Sequence, residues 1–389
     1  MKNTTEQQTG KGTGVAAVSQ VTSIDGYLEA LPEASPLAPQ PTPVPIFDLR
    51  ATAFPLEFIP GARNAVTTCL RIHPEEKVTL ITDQACLTIA ASLGSELDRI
   101  GCAWNAFVLE SEAPRPLAEM PATVLEDMES SQVSIFAVVV QPNELHSRMQ
   151  MTDVVNRRRM RHAHMVNITP EIMTQGMCAD FLAIDRLSQV VLDKVRAATY
   201  VRATTDAGTD IHAALSPDYR WFKTSGIIST EKWGNLPGGE CFTAPGEVNG
   251  VFVVDGVVGD FLCARYGILR DTPLTINIEE NRITKVSCTN KDLERDFWAY
   301  THTDENSDRV GEFAIGTNIG VERVIGNILQ DEKFPGVHIA FGDPYGAHTG
   351  APWKSSTHID VVGLGFNIWL GNADGEEQIM RDGEFLIEA

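Results

Sequence analysis

Between residues 46 and 205, strand-like and helix-like segments alternate, and this alternation constrains the fold more than any other feature of the chain. Lys77–Asp83 (KVTLITD) is rich in β-formers, and Gln84–Ile100 follows with apolar residues at helical spacing. Ala103–Leu109 and Val133–Val140 read as further strands, His164–Ile168 as a short one, and Ala179–Ala198 as an amphipathic helix. Strands separated by helices form parallel pairs, so the expectation is an α/β domain with a parallel-type sheet and helices. Neither GxGxxG nor a Walker-type loop occurs, so a nucleotide site of those kinds is not expected.

From about Tyr200 the texture changes. Glycines multiply, and Tyr200–Thr205, Ile211–Leu215, Gly250–Val258, Leu274–Glu279 and Arg282–Thr289 read as β-segments. A hairpin-like break falls at Glu280–Asn281, and helical insertions are expected over Asp292–Tyr300 and Ile319–Leu329. The predicted organisation is an arm at 1–45, an α/β domain at 46–205 and an α+β metal-binding catalytic domain at 206–389. The arm gathers Pro32, Pro36, Pro39, Pro41, Pro43 and Pro45 and is read as flexible and extended, with one short helix near Ile24–Leu31.

Charge narrows the function. With 31 Lys+Arg against 52 Asp+Glu the formal net charge is −21, which disfavours nucleic acid and anionic membranes as partners. The 7 cysteines are scattered without a CxxC pair, so neither a disulfide framework nor a thiolate zinc site is expected, and a reduced cytoplasmic setting fits. No apolar run is long enough to span a bilayer, and no secretory signal is legible at the N-terminus. Arg157–Arg159 with Arg161 and His162 read as a solvated helix face or chain turn, with steering of an anionic substrate as the functional alternative.

Groups able to bind metals concentrate in the second half. On a strand, His358 and Asp360 point to one face and present an imidazole beside a carboxylate, a pair that accepts zinc, manganese, cobalt or iron. His338 sits in the apolar run Val337–Phe341; taken alone it reads as a core histidine satisfied by the backbone. Tyr345, beyond the Gly342-Asp343-Pro344 turn, reads either as packing or as a phenol in the same cleft. Glu240 follows Gly238–Gly239 and Glu312 follows Gly311; each alone reads as an exposed or salt-bridged carboxylate. Ser355 and Ser356 lie near His358, but no GxSxG elbow exists, and Cys241 reads as a buried, inert thiol.

Together these segments resemble the M29 family of metallo-aminopeptidases, the aminopeptidase T group. The resemblance rests on Asn235-Leu236-Pro237-Gly238-Gly239-Glu240 with Phe242-Thr243-Ala244-Pro245, on Gly311-Glu312, on His338 with Tyr345 seven residues on, and on His358-x-Asp360. Gly208-Thr209-Asp210 also resembles the motif that opens the family's catalytic part. The resemblance covers residues 200–365 well, the α/β half loosely and the first 45 residues not at all.

It implies two divalent ions, zinc, cobalt or manganese, held by Glu240, Glu312, His338, His358 and Asp360, with Tyr345 beside or on the second ion and Glu312 as the bridge. A metal-bridged hydroxide would then cleave a peptide or small amide, with Glu312 and Tyr345 in catalytic roles. No separate general base is legible, so a ligating carboxylate would double in that role. The implied partner is a short peptide or other small molecule, and the implied assembly a homodimer. Two alternatives stand. One is a hydrolase of a non-peptide small molecule. The other is a mononuclear Fe(II) ring-cleaving dioxygenase of a dihydroxypyridine-like substrate, using His338, His358 and Asp360 on a similar fold. Retention of Glu240 in an intact segment favours two metals. Closed metal-binding without catalysis is disfavoured, because such sites favour thiolates. The Gly342-Asp343-Pro344 turn, the His348-Thr349-Gly350 loop and the proline-rich arm have no place in the peptidase reading.

Overall fold

The structure, a computed structural model, describes residues 47–388. The expected arm and its short helix lie outside the described residues. The first half is a parallel sheet in which β1 (Lys77–Thr82), β2 (Ala103–Val108), β3 (Val133–Val138) and β4 (Arg161–Val166) run in the order β2-β1-β3-β4. A two-residue strand, Gly234–Asn235, extends the sheet parallel to β4. All six residues of β3 are buried, as expected of a central strand covered on both faces. The helix Leu87–Ile100 that follows β1 ends at Gly101, whose φ of 83° supplies the left-handed cap.

Ligand sites in open parallel sheets usually lie beyond the strands' C-terminal ends. Here that position holds an ion network. Arg115 Nη1 lies 2.8 Å from Asp83 Oδ2 and its Nη2 2.5 Å from Glu144 Oε2, with all three side chains buried.

The second half is built on two antiparallel sheets. One has eight strands and contains Tyr200–Thr204, Asp210–Ala214 and Glu247–Val254 at its centre. The other has five, in the order His358–Val362, Gly336–Gly342, Val310–Gly316, Glu240–Thr243 and Phe222–Lys223. Their facing surfaces share one apolar core, with Phe252, Phe313, Ile339, Phe341 and Phe366 among its residues. The helix Phe181–Ala197 ties the two halves together. Its Phe181 and Ile184 enter the core of the parallel sheet, while Leu187, Val191 and Val195 enter the antiparallel one. No helix among the described residues is long and apolar enough to cross a membrane.

Three local expectations need correction. The strand expected at His164–Ile168 runs from Arg161 to Val166. The basic cluster therefore divides: Arg157 and Arg158 end a helix, Arg159 caps it at φ 54°, and Arg161 and His162 belong to β4. The arginines are ion-paired to Glu129, Glu231 and Glu76. His162 is fully buried, 2.8 Å from Ser134 Oγ and 3.0 Å from His164, and burial drives its pKa down to about 3. Over Ile319–Leu329 the expected helix is mostly irregular chain, with a short helix only at Ile328–Asp331. The Asp331 carboxylate accepts from the backbone N–H groups of Ile325, Gly326 and Asn327, which replaces the helical bonding pattern.

Candidate metal centre

The five-stranded antiparallel sheet explains how the predicted residues meet. Side chains alternate faces along a strand. Cys241, Phe313, Ile315, Val337, Ile339, Phe341, Ile359 and Val361 all point into the apolar core. The intervening residues, Glu240, Glu312, His338, His358 and Asp360, therefore share the opposite face. Register then clears space around them. Ala314 pairs with His338, Ala340 with both Glu312 and Asp360, Gly342 with His358 and Gly316 with Glu240. Each charged or imidazole side chain thus stands beside an alanine or glycine.

Two glycines set the backbone. Val310 and Glu312 are separated by a register shift at Gly311, so Val310 faces the core and Glu312 the site. A Cβ on Gly311 would lie 2.5 Å from the Gly342 carbonyl oxygen. Gly239, at φ +130°, holds Glu240 in place, and a Cβ there would lie 2.6 Å from Asn318 Cβ.

Donor atoms converge in three overlapping triads: Glu240, Glu312 and His338; Glu312, His358 and Asp360; and Glu332, His338 and Asp360. Within each triad the donor atoms lie within 4.8 Å of one another. His338 Nε2 lies 3.5 Å from Glu240 Oε2 and 3.4 Å from Glu312 Oε1, buried and without a hydrogen bond of good geometry. His358 Nε2 lies 3.4 Å from Asp360 Oδ1 and 3.7 Å from Glu312 Oε2. Its Nδ1 is 2.9 Å from the Asp343 carbonyl oxygen. A carbonyl only accepts, so Nδ1 carries the hydrogen and Nε2 presents its lone pair to the cluster when the ring is neutral. The Tyr345 ring lies over His358, with centroids 4.3 Å apart; the residue as a whole keeps 44% of its surface exposed, while its hydroxyl is buried near the carboxylates.

The sequence reading missed two members, Glu332 and Lys333. Lys333 is buried, with Nζ 2.6 Å from Glu240 Oε1 and 2.5 Å from Glu332 Oε1. Thr224 Oγ1 donates to the same Glu240 oxygen at 2.7 Å. Glu240 thus commits Oε1 to protein donors and leaves Oε2 facing His338. The one available signal was a charged trio, Asp331-Glu332-Lys333, inside an otherwise apolar stretch.

The electrostatics fit a cation site. Burial alone would depress His358, but Asp360, Glu312 and the Asp343 carbonyl outweigh it and lift the imidazole to about 10. His338 is likewise raised against burial by Glu312 and Glu240. Glu332 is pushed up to about 8, first by burial and then by Glu240 and Asp360 against the pull of Lys333. Burial also raises the Tyr345 phenol well above its ordinary value, and the surrounding carboxylates add to it. Among the described residues four carboxylates face a single ammonium, and they draw both imidazoles toward the charged form. The buried His338 nitrogen with no good partner and the mixed oxygen–nitrogen donor set both suit divalent metals.

Other sequence candidates do not join the cluster. Cys241 Sγ points into the core, 3.2 Å from the Ser188 carbonyl oxygen, and burial pushes its pKa up to about 12. Ser355 and Ser356 hold the Asp304 carboxylate, and Thr209 Oγ1 accepts from Val253 N at 2.9 Å, so these are structural contacts.

The Lys333 ion pairs yield an expected outcome. Lys333→Met leaves two buried carboxylates uncompensated, which costs about 3–5 kcal/mol when one partner of a buried pair is removed. Chemical denaturation of the metal-free variant should show a loss of that size, partly recovered by added divalent metal. A loss under about 1 kcal/mol would mean that Glu240 and Glu332 are relieved in another way.

The profile of the thermophilic metalloprotease (M29) family matches residues 188–385, half of the chain. No curated protein matches the sequence. Among solved structures, wild-type AmpT from Thermus thermophilus is similar at a TM-score of 0.60 and 17% identity, covering 85% of this chain and 99% of that one. The 2,5-dihydroxypyridine dioxygenase from Pseudomonas putida KT2440 is similar at a TM-score of 0.61 and 15% identity, covering 84% of this chain and 96% of that one. At these identities the two structures establish a shared fold. The family profile spans all six predicted site residues and both residues the sequence reading missed, and the chain belongs to the M29 metalloprotease family.

Proposed function

We propose that the protein is an aminopeptidase-type hydrolase that uses two divalent ions to remove residues from the N-terminus of short peptides. The observation that carries this reading is the sharing of Glu312 between two donor triads. Glu240 and His338 would hold one ion, His358 and Asp360 the other, and Glu312 both. Bound there, divalent ions lower the pKa of a water molecule and polarise a scissile carbonyl. Glu332, adjacent to His338 and Asp360, takes the water proton and returns it to the leaving amine. The Tyr345 hydroxyl donates a hydrogen bond to the carbonyl oxygen as charge develops on it. The Asp343 carbonyl holds the His358 ring in one orientation throughout.

The dioxygenase reading draws on the similar fold of the Pseudomonas enzyme and would use His338, His358 and Asp360 around one iron. Among the described residues no donor triad joins His338 to His358, and each triad contains a glutamate, which favours two metals. All 7 cysteines are free, which supports a reduced, cytoplasmic setting, and we place the protein there as a homodimer. The test is a metal-loaded incubation with a peptide and its N-acetylated counterpart. The reading expects release of the first residue from the free peptide alone. Inertness toward both, together with oxygen uptake on a dihydroxypyridine, would overturn it.

A further inference from the structure

The sheet face that carries the metal-site residues continues to its edge strand, and there its character reverses. Phe222 pairs with Phe242, with the rings stacked 5.8 Å apart. Three nitrogen bases surround the Phe222 ring. Lys232 Nζ lies 5.1 Å and Arg220 Cζ 6.0 Å from its centroid, and the His348 ring meets it edge-on at 5.4 Å.

In a chain of formal charge −21, the two cations here have no carboxylate in direct contact among the described residues, and Glu240 acts on Lys232 only from a distance. Lys232 Nζ donates to the Lys223 carbonyl oxygen at 2.7 Å, and neither Lys232 nor Arg220 forms an ion pair with a carboxylate among the described residues. The three groups feel one another: after burial, Lys232 and Arg220 are what hold the His348 imidazole down. Burial likewise pushes the Lys232 ammonium down to about 8. The patch also adjoins the metal centre. Phe242 meets Tyr345 at 6.4 Å, and Tyr345 lies over His358. Lys223, which accepts from Lys232, precedes Thr224, the donor to Glu240.

We propose that Arg220, Lys232 and His348, walled by Phe222 and Phe242, form a subsite for a substrate carboxylate. This rests on the peptidase reading above and names its substrate class: short peptides that carry a carboxylate close to the scissile amide. A guanidinium offers a carboxylate two parallel hydrogen bonds, and an ammonium over an aromatic face is held by the ring's quadrupole while keeping a side open. Partial removal from water strengthens both contacts. The cations sit at the sheet edge, apart from the carboxylates that would hold the metals, so a substrate carboxylate placed there leaves the scissile amide free to reach the centre. The His348-Thr349-Gly350 loop, unassigned from sequence, acquires a role as one wall of the subsite.

The carboxylate has two sources, the C-terminus of a dipeptide or an acidic side chain, and kinetics on the metal-loaded enzyme separate them. A terminal source predicts kcat/KM at least tenfold higher for Leu-Gly than for Leu-Gly amide. A side-chain source predicts the same advantage for Leu-Asp amide over Leu-Asn amide. In the Arg220→Gln/Lys232→Met variant the ratio should fall to within about twofold of one. Equal rates across both pairs in the wild type would overturn the proposal. Direct binding of benzoate against benzamide to the same holoenzyme decides the subsite even if no peptide is cleaved. A benzoate preference that disappears in the double variant supports the subsite. A preference that persists assigns the carboxylate to the metals and overturns it, as does the lack of any preference. Failure of the peptidase reading alone would leave every peptide uncut while the benzoate preference remained.

Discussion

Glu312→Gln should reduce kcat/KM on the order of 10³-fold and lower the metal content of the purified protein. The carboxylate belongs to two donor triads at once, with one oxygen toward His338 and the other toward His358. Glutamine retains the shape but removes the charge, and its amide nitrogen cannot donate a lone pair to a metal. Both metal positions weaken together. Lewis-acid stabilisation of a transition state is worth several kcal/mol, and each 1.36 kcal/mol is tenfold in rate. Elemental analysis and kinetics on one preparation check the two parts. Full activity with unchanged metal content would remove Glu312 from the bridging role.

Glu332→Gln should behave differently. Glu332 is paired with Lys333 on one side and lies within donor reach of His338 and Asp360 on the other. If it moves a proton, its loss should lower kcat by about 10²–10⁴, the range for general acid–base catalysis, while metal content stays within about twofold. A loss of metal in step with activity would place Glu332 among the ligands. Unchanged activity would return the proton transfer to another carboxylate. The pair of variants thus separates holding a metal from moving a proton.

The candidate site was legible in the sequence mainly through the resemblance to the M29 family, while β-alternation alone pointed only to the His358 and Asp360 pair. His358 and Asp360 are two apart and share a face, as alternation requires. His338 between valine and isoleucine marks a strand with one face in the core. The alternating α/β half was equally plain, since βαβ units leave a strong periodic signature. What could not be read arises from register and irregular chain. The pairing of Ala314, Ala340, Gly316 and Gly342 against the site residues depends on which strands are neighbours. Glu332 and Lys333 follow a short helix whose preceding loop is organised by Asp331 side-chain bonds, and no periodic pattern encodes such a segment. The expected helix over Ile319–Leu329 failed for the same reason: its apolar spacing was helical, but Gly320, Gly326 and Asn327 interrupt it.

The central claim is that two divalent ions share Glu312, and the most direct measurement is the number and identity of metals bound per chain. The protein should be purified without oxygen or added chelator and measured by elemental analysis. The account predicts about two zinc, cobalt or manganese ions in the wild type. A single iron(II) per chain, with activity lost in air, would contradict it and move the chemistry to ring cleavage.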